Sequence, residues 1–152
     1  MEIQEVYHEH IGVYFELPID WKMVPQERKN MAAYASAQIE TQIITPKLII
    51  SQFETPNNEH RFDLQLSEEI AKSAGKEHEF SVRTQERLID GKTGIVDILT
   101  FLNPEKLVHV LRYQIFMQLN LRVVSFTGIS NANVSDQVIP IYEHVEKSIR
   151  FK

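Results

Sequence analysis

The stretch Leu107–Ser130, LVHVLRYQIFMQLNLRVVSFTGIS, decides the fold: it reads as two strands meeting at Leu119-Asn120. A third run, Thr93–Leu102, feeds into it across Asn103-Pro104-Glu105-Lys106. In short hairpins the loop length sets which residues face each other, and alternate residues take opposite sides of the sheet. A loop at Leu119-Asn120 puts Tyr113 opposite Phe126 and Ile115 opposite Val124. A loop over Asn103–Lys106 sets Ile98 opposite Leu111, Val96 opposite Tyr113 and Asp97 opposite Arg112. One face then reads Val96, Ile98, Leu111, Tyr113, Ile115, Val124 and Phe126, with Val96, Tyr113 and Phe126 abreast. The other carries Asp97, Arg112, Gln114, Ser125 and Thr127 among Leu99, Val110 and Val123. Two loops drawn independently give one apolar face across three strands. The mixed second face implies partial cover by another element, since neither a fully wet nor a fully dry surface suits that composition.

Outward from this meander, Ile11–Leu17 alternates Val13, Phe15 and Leu17 against Tyr14 and Glu16, the pattern of a half-buried strand that Pro18 ends. Trp21, the only tryptophan, is expected to plug the core. Gln26–Asn30 reads as a loop, Met31–Ser36 and Lys47–Phe53 as strands, and Ile39–Pro46 as a long connection between them. Asn57-Asn58 offers a helix cap; Phe62, Leu66, Ile70 and Ala74 recur at a spacing of four, and Gly75 is the stop. Phe80, Val82, Thr84 and Leu88 alternate through a further strand. A three-residue turn at Asp90-Gly91-Lys92 places Gln85 beside Asp97 and extends the mixed face to a fourth strand. Past the meander, Asn131–Ser135 is a turn, and Val138, Tyr142, Val145 and Ile149 form an apolar stripe at helical spacing. Pro140 fits only near the first turn of that helix.

The chain of 152 residues suits a single domain over 1–152, large enough to bury roughly two thirds of its unfolded surface. A formal charge of −5 without basic runs argues against a nucleic-acid partner. The absence of cysteine removes disulfides, thiol nucleophiles and thiolate metal sites. The start MEIQEVYHEH lacks the basic and apolar segments of a secretory signal, and no run approaches about 18 apolar residues, so a cytoplasmic location without membrane insertion is expected.

Phosphate-binding glycine loops, the Gly-x-Ser-x-Gly elbow and His-Glu-x-x-His are absent from the sequence. His8-Glu9-His10 and Glu77-His78-Glu79 each supply alternate ligand types, but a metal needs a third preorganised ligand, and no metal or other cofactor is expected. His109 and His144 stand alone on a strand and a helix and read as packed or solvated residues. The best polar constellation is the row Gln85, Asp97, Arg112, Gln114 and Thr127. As a cross-strand pair Asp97 and Arg112 would contribute about 0.2–1 kcal/mol; as a functional row the five residues would line a partly covered groove that orients a ligand or peptide.

The stretch Phe15-Glu16-Leu17-Pro18-Ile19-Asp20-Trp21 resembles the opening of PsbP-like domains, and Glu146-Lys147-Ser148-Ile149-Arg150-Phe151 is similar to their closing helix. Gly91-x-x-Gly94, Tyr113–Phe116 and Arg122–Thr127 fit the same pattern, so the likeness runs from about Gly12 to Phe151. It implies an α+β fold, an antiparallel sheet sandwiched between helices, found also in bacterial DcrB-like proteins, some of which resemble chaperones for type VI secretion effectors. The resemblance further implies no catalytic residues and action by binding another protein. The short chain, without a transit segment or lipidation cysteine, favours a cytoplasmic bacterial relative of the DcrB-like kind. The expected function is therefore a non-catalytic adaptor or chaperone-like domain, with a small-ligand carrier or sensor using the mixed sheet face as the alternative. A hydrolase assembled only in three dimensions is the third possibility.

Overall fold

The computed structural model describes residues 2–26, 28–37, 43–55, 62–74, 78–103 and 105–152. The cap at Asn57-Asn58, the stop at Gly75, the first half of the Ile39–Pro46 connection and the Glu77-His78-Glu79 side chains lie outside the described residues.

Two antiparallel sheets carry the fold. The small one pairs β1 (Ile3–His8) and β10 (Arg150–Phe151) on either side of β2 (Val13–Pro18). The large one takes β3 (Trp21–Val24), β4 (Met31–Ser36), β5 (Lys47–Glu54), β6 (His78–Ile89), β7 (Lys92–Asn103), β8 (Val108–Leu119) and β9 (Arg122–Asn131). Its order is β3-β4-β5-β9-β8-β7-β6, so two meanders join where β5 pairs with β9. The helices are α1 (Phe62–Ala74) and α2 (Ser135–Ser148), the latter entered through a 3-10 turn at Ala132–Val134.

The expected apolar face exists. Val96, Leu111, Tyr113, Ile115, Val124 and Phe126 are buried in one cluster with Val13, Phe15 and Leu17 of the small sheet and Val138, Tyr142 and Val145 of α2. Phe15 meets Phe126 and Tyr34 edge-on at 5.6 and 5.8 Å, and Trp21, 1% exposed, meets the Tyr142 ring at 6.1 Å. On the mixed face Ile95, Phe116 and Val123 pack with Phe53 and with Leu64, Leu66 and Ile70 of α1. The layers are thus α1, the large sheet, and α2 together with the small sheet. The sandwich read from the sequence holds, with a sheet added to one outer layer.

The register differs from the expectation in ways the turns explain. The β8–β9 turn is Asn120-Leu121, with Leu119 opposite Arg122, because Asn120 takes the left-handed position (φ 56) that leucine resists. The β7–β8 loop starts after Asn103, whose Oδ1 accepts from the Glu105 and Lys106 amides at 3.0 and 3.2 Å. Both shifts move the pairing by two residues. Ile115 therefore faces Val96 and Phe126, while Tyr113 lies one pair along between Ile98 and Gly128. An even shift leaves every side chain on its expected face.

The β6–β7 turn breaks that rule. Asp90 and Gly91 both adopt positive φ (51 and 73), the two-residue hairpin geometry that matches strand twist, and Ile89 pairs with Lys92. The three-residue turn is wrong by one, so Gln85 falls on the apolar face opposite Val96 and Thr84 takes its place beside Asp97. Strands β1 and β3 were not expected from the sequence at all. Pro140 sits sixth in α2, past the first turn. It frees the Asp136 carbonyl, but both residues are exposed and water can satisfy it.

Helix α2 reaches the sheet at a glycine. A Cβ on Gly128 would lie 2.5–2.7 Å from three atoms of the Tyr142 ring, and the Tyr142 hydroxyl donates to the Lys47 and Ile129 carbonyls at 3.1 and 3.3 Å. Gly128→Ala is expected to lower stability by about 2–3 kcal/mol through overpacking, read from the urea unfolding midpoint. An unchanged midpoint would show that the ring is free to withdraw.

Candidate functional site

On the mixed face the structure builds a polar row across four strands: Thr84, Asp97, Gln114 and Thr127, each directly opposite the next. Thr84 Oγ1 donates to Asp97 Oδ1 at 2.6 Å. Asp97 and Gln114 are each 1% exposed, yet among the described residues Asp97 Oδ2 and Gln114 Oε1 have no hydrogen-bond partner. Arg112 lies one pair along, opposite Leu99 and Ile129, so it is diagonal to Asp97 where the sequence reading placed it directly opposite. The buried Arg112 Nε also lacks a partner among the described residues, and burial pushes its guanidinium below the usual arginine value. Four of the five sequence-nominated residues, Asp97, Arg112, Gln114 and Thr127, thus share one patch.

The fifth, Gln85, belongs elsewhere. Its Oε1 accepts from Arg87 Nε and Nη2 at 3.1 and 2.7 Å, and Arg87 Nη1 donates to both carboxylate oxygens of Glu146 at 2.8 and 3.0 Å. The Tyr113 hydroxyl donates to Glu146 Oε1 at 2.5 Å. Burial, reinforced by that carboxylate, raises the Tyr113 phenol well above its ordinary value. The group ties β6, β8 and α2 together. Sequence reasoning passed over it, although Glu146 stands four residues after Tyr142 on the buried stripe, an unusual place for an unpartnered acid.

A cleft of about 770 Å³ lies at the β8–β9 turn end of the large sheet. Phe53, Glu54, Thr55, Leu119, Leu121 and Arg122 line it, together with His10, Asn30 and Gln52 from the neighbouring loops and β5. Arg122 Nη1 donates to the Ile11 carbonyl at 2.7 Å and to Gln52 Oε1 at 2.6 Å. Gln52 Nε2 and His10 Nε2 in turn reach Asn30 Oδ1 at 3.2 and 2.8 Å. Sequence reading did not single out this cleft, because its parts come from four separate segments.

The histidines have local roles. His8 Nδ1 accepts from the Ile11 amide at 3.1 Å, His144 Nε2 contacts Glu16 Oε1 at 2.9 Å, and His109 is exposed. Among the described residues no three histidine, cysteine or acidic side chains come together as a metal would need. No described helix is long and apolar enough to cross a membrane.

No family model matches the chain, and no curated protein matches it in sequence. Solved structures do match in shape. Cyanobacterial PsbP (CyanoP) from Synechocystis sp. PCC 6803 superposes with a TM-score of 0.69 at 12% identity, over 99% of this chain and 93% of that one. LpqN of Mycobacterium tuberculosis, involved in cell envelope biogenesis, gives 0.71 at 11% identity over 99% and 91%. PA94 of Pseudomonas aeruginosa, a protein of unknown function described as a putative regulator, gives 0.60 at 12% over 94% and 92%. The chain has the PsbP-like fold.

Burial, with the nearby His10 adding to it, lowers the His8 imidazole from the usual 6.5. Its neutral form is the one the fold favours. The stability it contributes is present above about pH 6.5 and is lost as pH falls through the lowered folded value. The urea midpoint is expected to drop between about pH 8 and pH 5. His8→Asn, which retains an acceptor for the Ile11 amide, is expected to drop less; equal drops would sink this assignment.

Proposed function

We propose that this domain is a non-catalytic protein-binding accessory of a bacterial cytoplasm, adaptor-like or chaperone-like in the manner of DcrB-like proteins, and that it takes an extended segment of its partner. The observation that carries this reading is the outer edge of β6. This strand is twelve residues long and ends the large sheet, pairing with β7 on one side and with no other described strand on the other. Such an edge offers a row of backbone donors and acceptors to an added strand. It also presents Val82 and Leu88, 38% and 77% exposed, on the side that continues the mixed face. The exposed Arg83 and Glu86 between them discourage pairing with a second copy, which favours a selective partner. Fold similarity to LpqN and CyanoP is compatible with an accessory role.

A second reading, a small-ligand carrier or sensor on the mixed face, is favoured by the unpartnered atoms Asp97 Oδ2, Gln114 Oε1 and Arg112 Nε. A polar ligand there would supply the missing partners.

The test is a quantitative pull-down from the native host with wild type and with Val82→Asp/Leu88→Asp. Both positions are exposed, so the double variant should keep its stability to about 0.5 kcal/mol per site. Proteins enriched by the wild type and lost with the variant support edge binding. Recovery that ignores the substitutions overturns it.

A further inference from the structure

The cleft beneath the β8–β9 turn holds two opposite charges that do not pair with each other. Glu54 and Arg122 are directly paired in the β5–β9 register and both line the cleft, yet no ion pair joins them. Among the described residues Arg122 makes two hydrogen bonds, to Ile11 and Gln52, both through Nη1. That leaves the Nε–H and an Nη2–H side by side, the fork geometry a carboxylate takes bidentately. The fork is held in advance: Gln52 and His10 both anchor on Asn30 Oδ1, and the Gln52 amide donates to the Asn30 carbonyl at 2.9 Å. Leu119 and the half-exposed Leu121 supply an apolar wall. The Thr55 hydroxyl, on a cleft-lining residue only 9% exposed, has no partner among the described residues.

We propose that this cleft binds an α-carboxylate with an adjoining apolar side chain, as in a free apolar amino acid or the last residue of a peptide. The Nε–Nη2 edge of Arg122 takes the carboxylate, the Leu119–Leu121 wall takes the side chain, and Glu54 takes the α-ammonium when the amino acid is free. A simple inorganic anion is disfavoured by Glu54, and a neutral apolar molecule leaves the fork unused. The volume of about 770 Å³ leaves room for a short peptide as well as a single residue. This inference stands apart from the β6 edge, and Val82→Asp/Leu88→Asp should not alter it.

The test is titration of the full chain, followed by NMR, with L-leucine, N-acetyl-L-leucine, the tripeptide Ala-Ala-Leu and L-leucinamide. Leucine or the two acylated carboxylates are expected to shift resonances of the cleft with a dissociation constant of about 1 mM or tighter. Leucinamide, lacking the carboxylate, is expected to bind at least about tenfold more weakly, a difference of about 1.4 kcal/mol. Tighter binding of leucine identifies the free amino acid as occupant, and tighter binding of the acylated compounds a chain terminus. Glu54→Gln, at an exposed position, should weaken leucine and leave N-acetyl-leucine unchanged. Arg122→Lys should bring leucine and leucinamide level. If that variant fails to fold, Leu121→Ser at the exposed turn should weaken every carboxylate ligand. Equal response to leucine and leucinamide in the wild type, or no response to any of the four at about 10 mM, overturns the proposal.

Discussion

The Tyr142 ring lies so close over Gly128 that no side chain fits between them, and this contact fixes α2 on the large sheet. Everything on that side of the molecule is referred to α2. Ser148 Oγ accepts the Glu16 amide at 2.8 Å and His144 meets Glu16, so the small sheet is oriented by the helix. Glu146 reaches Arg87 and Tyr113, which fastens the last strand of the large sheet to the same helix. A buried carboxylate is costly alone. Here one guanidinium and one phenol share it, and their geometry sets the position of β6 and hence of its free edge.

The mixed face follows a different logic. Alpha-1 covers its apolar half, around Ile95 and Phe116, and the polar row runs alongside. An unpartnered buried polar atom costs about 1–3 kcal/mol, so three in one patch is a local weakness that packing elsewhere must offset. The cleft around Arg122 is the contrast, since its polar groups are mutually satisfied on one side and open on the other.

How far the fold was legible in the sequence depended on parity. Val96, Tyr113, Ile115 and Phe126 were assigned to the right face although two loops were misplaced, because each error moved the pairing by two. Gln85 was assigned to the wrong face because its turn was misjudged by one residue. The physical signal missed there was Asp90-Gly91, a pair able to take positive φ together. Beta-1 and β3 were invisible for another reason: Ile3–His8 is half-exposed along its length and β3 has only four residues, so neither shows clean alternation. The close approach at Gly128 was equally hidden, since a strand glycine does not announce which ring will cover it. Of the nominated row, strand position identified Asp97, Arg112, Gln114 and Thr127 as neighbours, whereas the Arg122 cleft needed three-dimensional closure of distant segments.

The seam between β5 and β9 joins stretches separated by the whole of α1 and three long strands, and β2 rests on a helix more than a hundred positions later, as the Glu16–Ser148 bond at a separation of 132 illustrates. The first strands of this chain therefore have no stable seat while it is being synthesised. Val13, Phe15 and Leu17 must wait uncovered until the last helix has left the ribosome, and the large entropy of closing such loops makes folding slow for a chain of this size. The N-terminal hairpin is the part of the molecule whose apolar residues stay longest within reach of other chains.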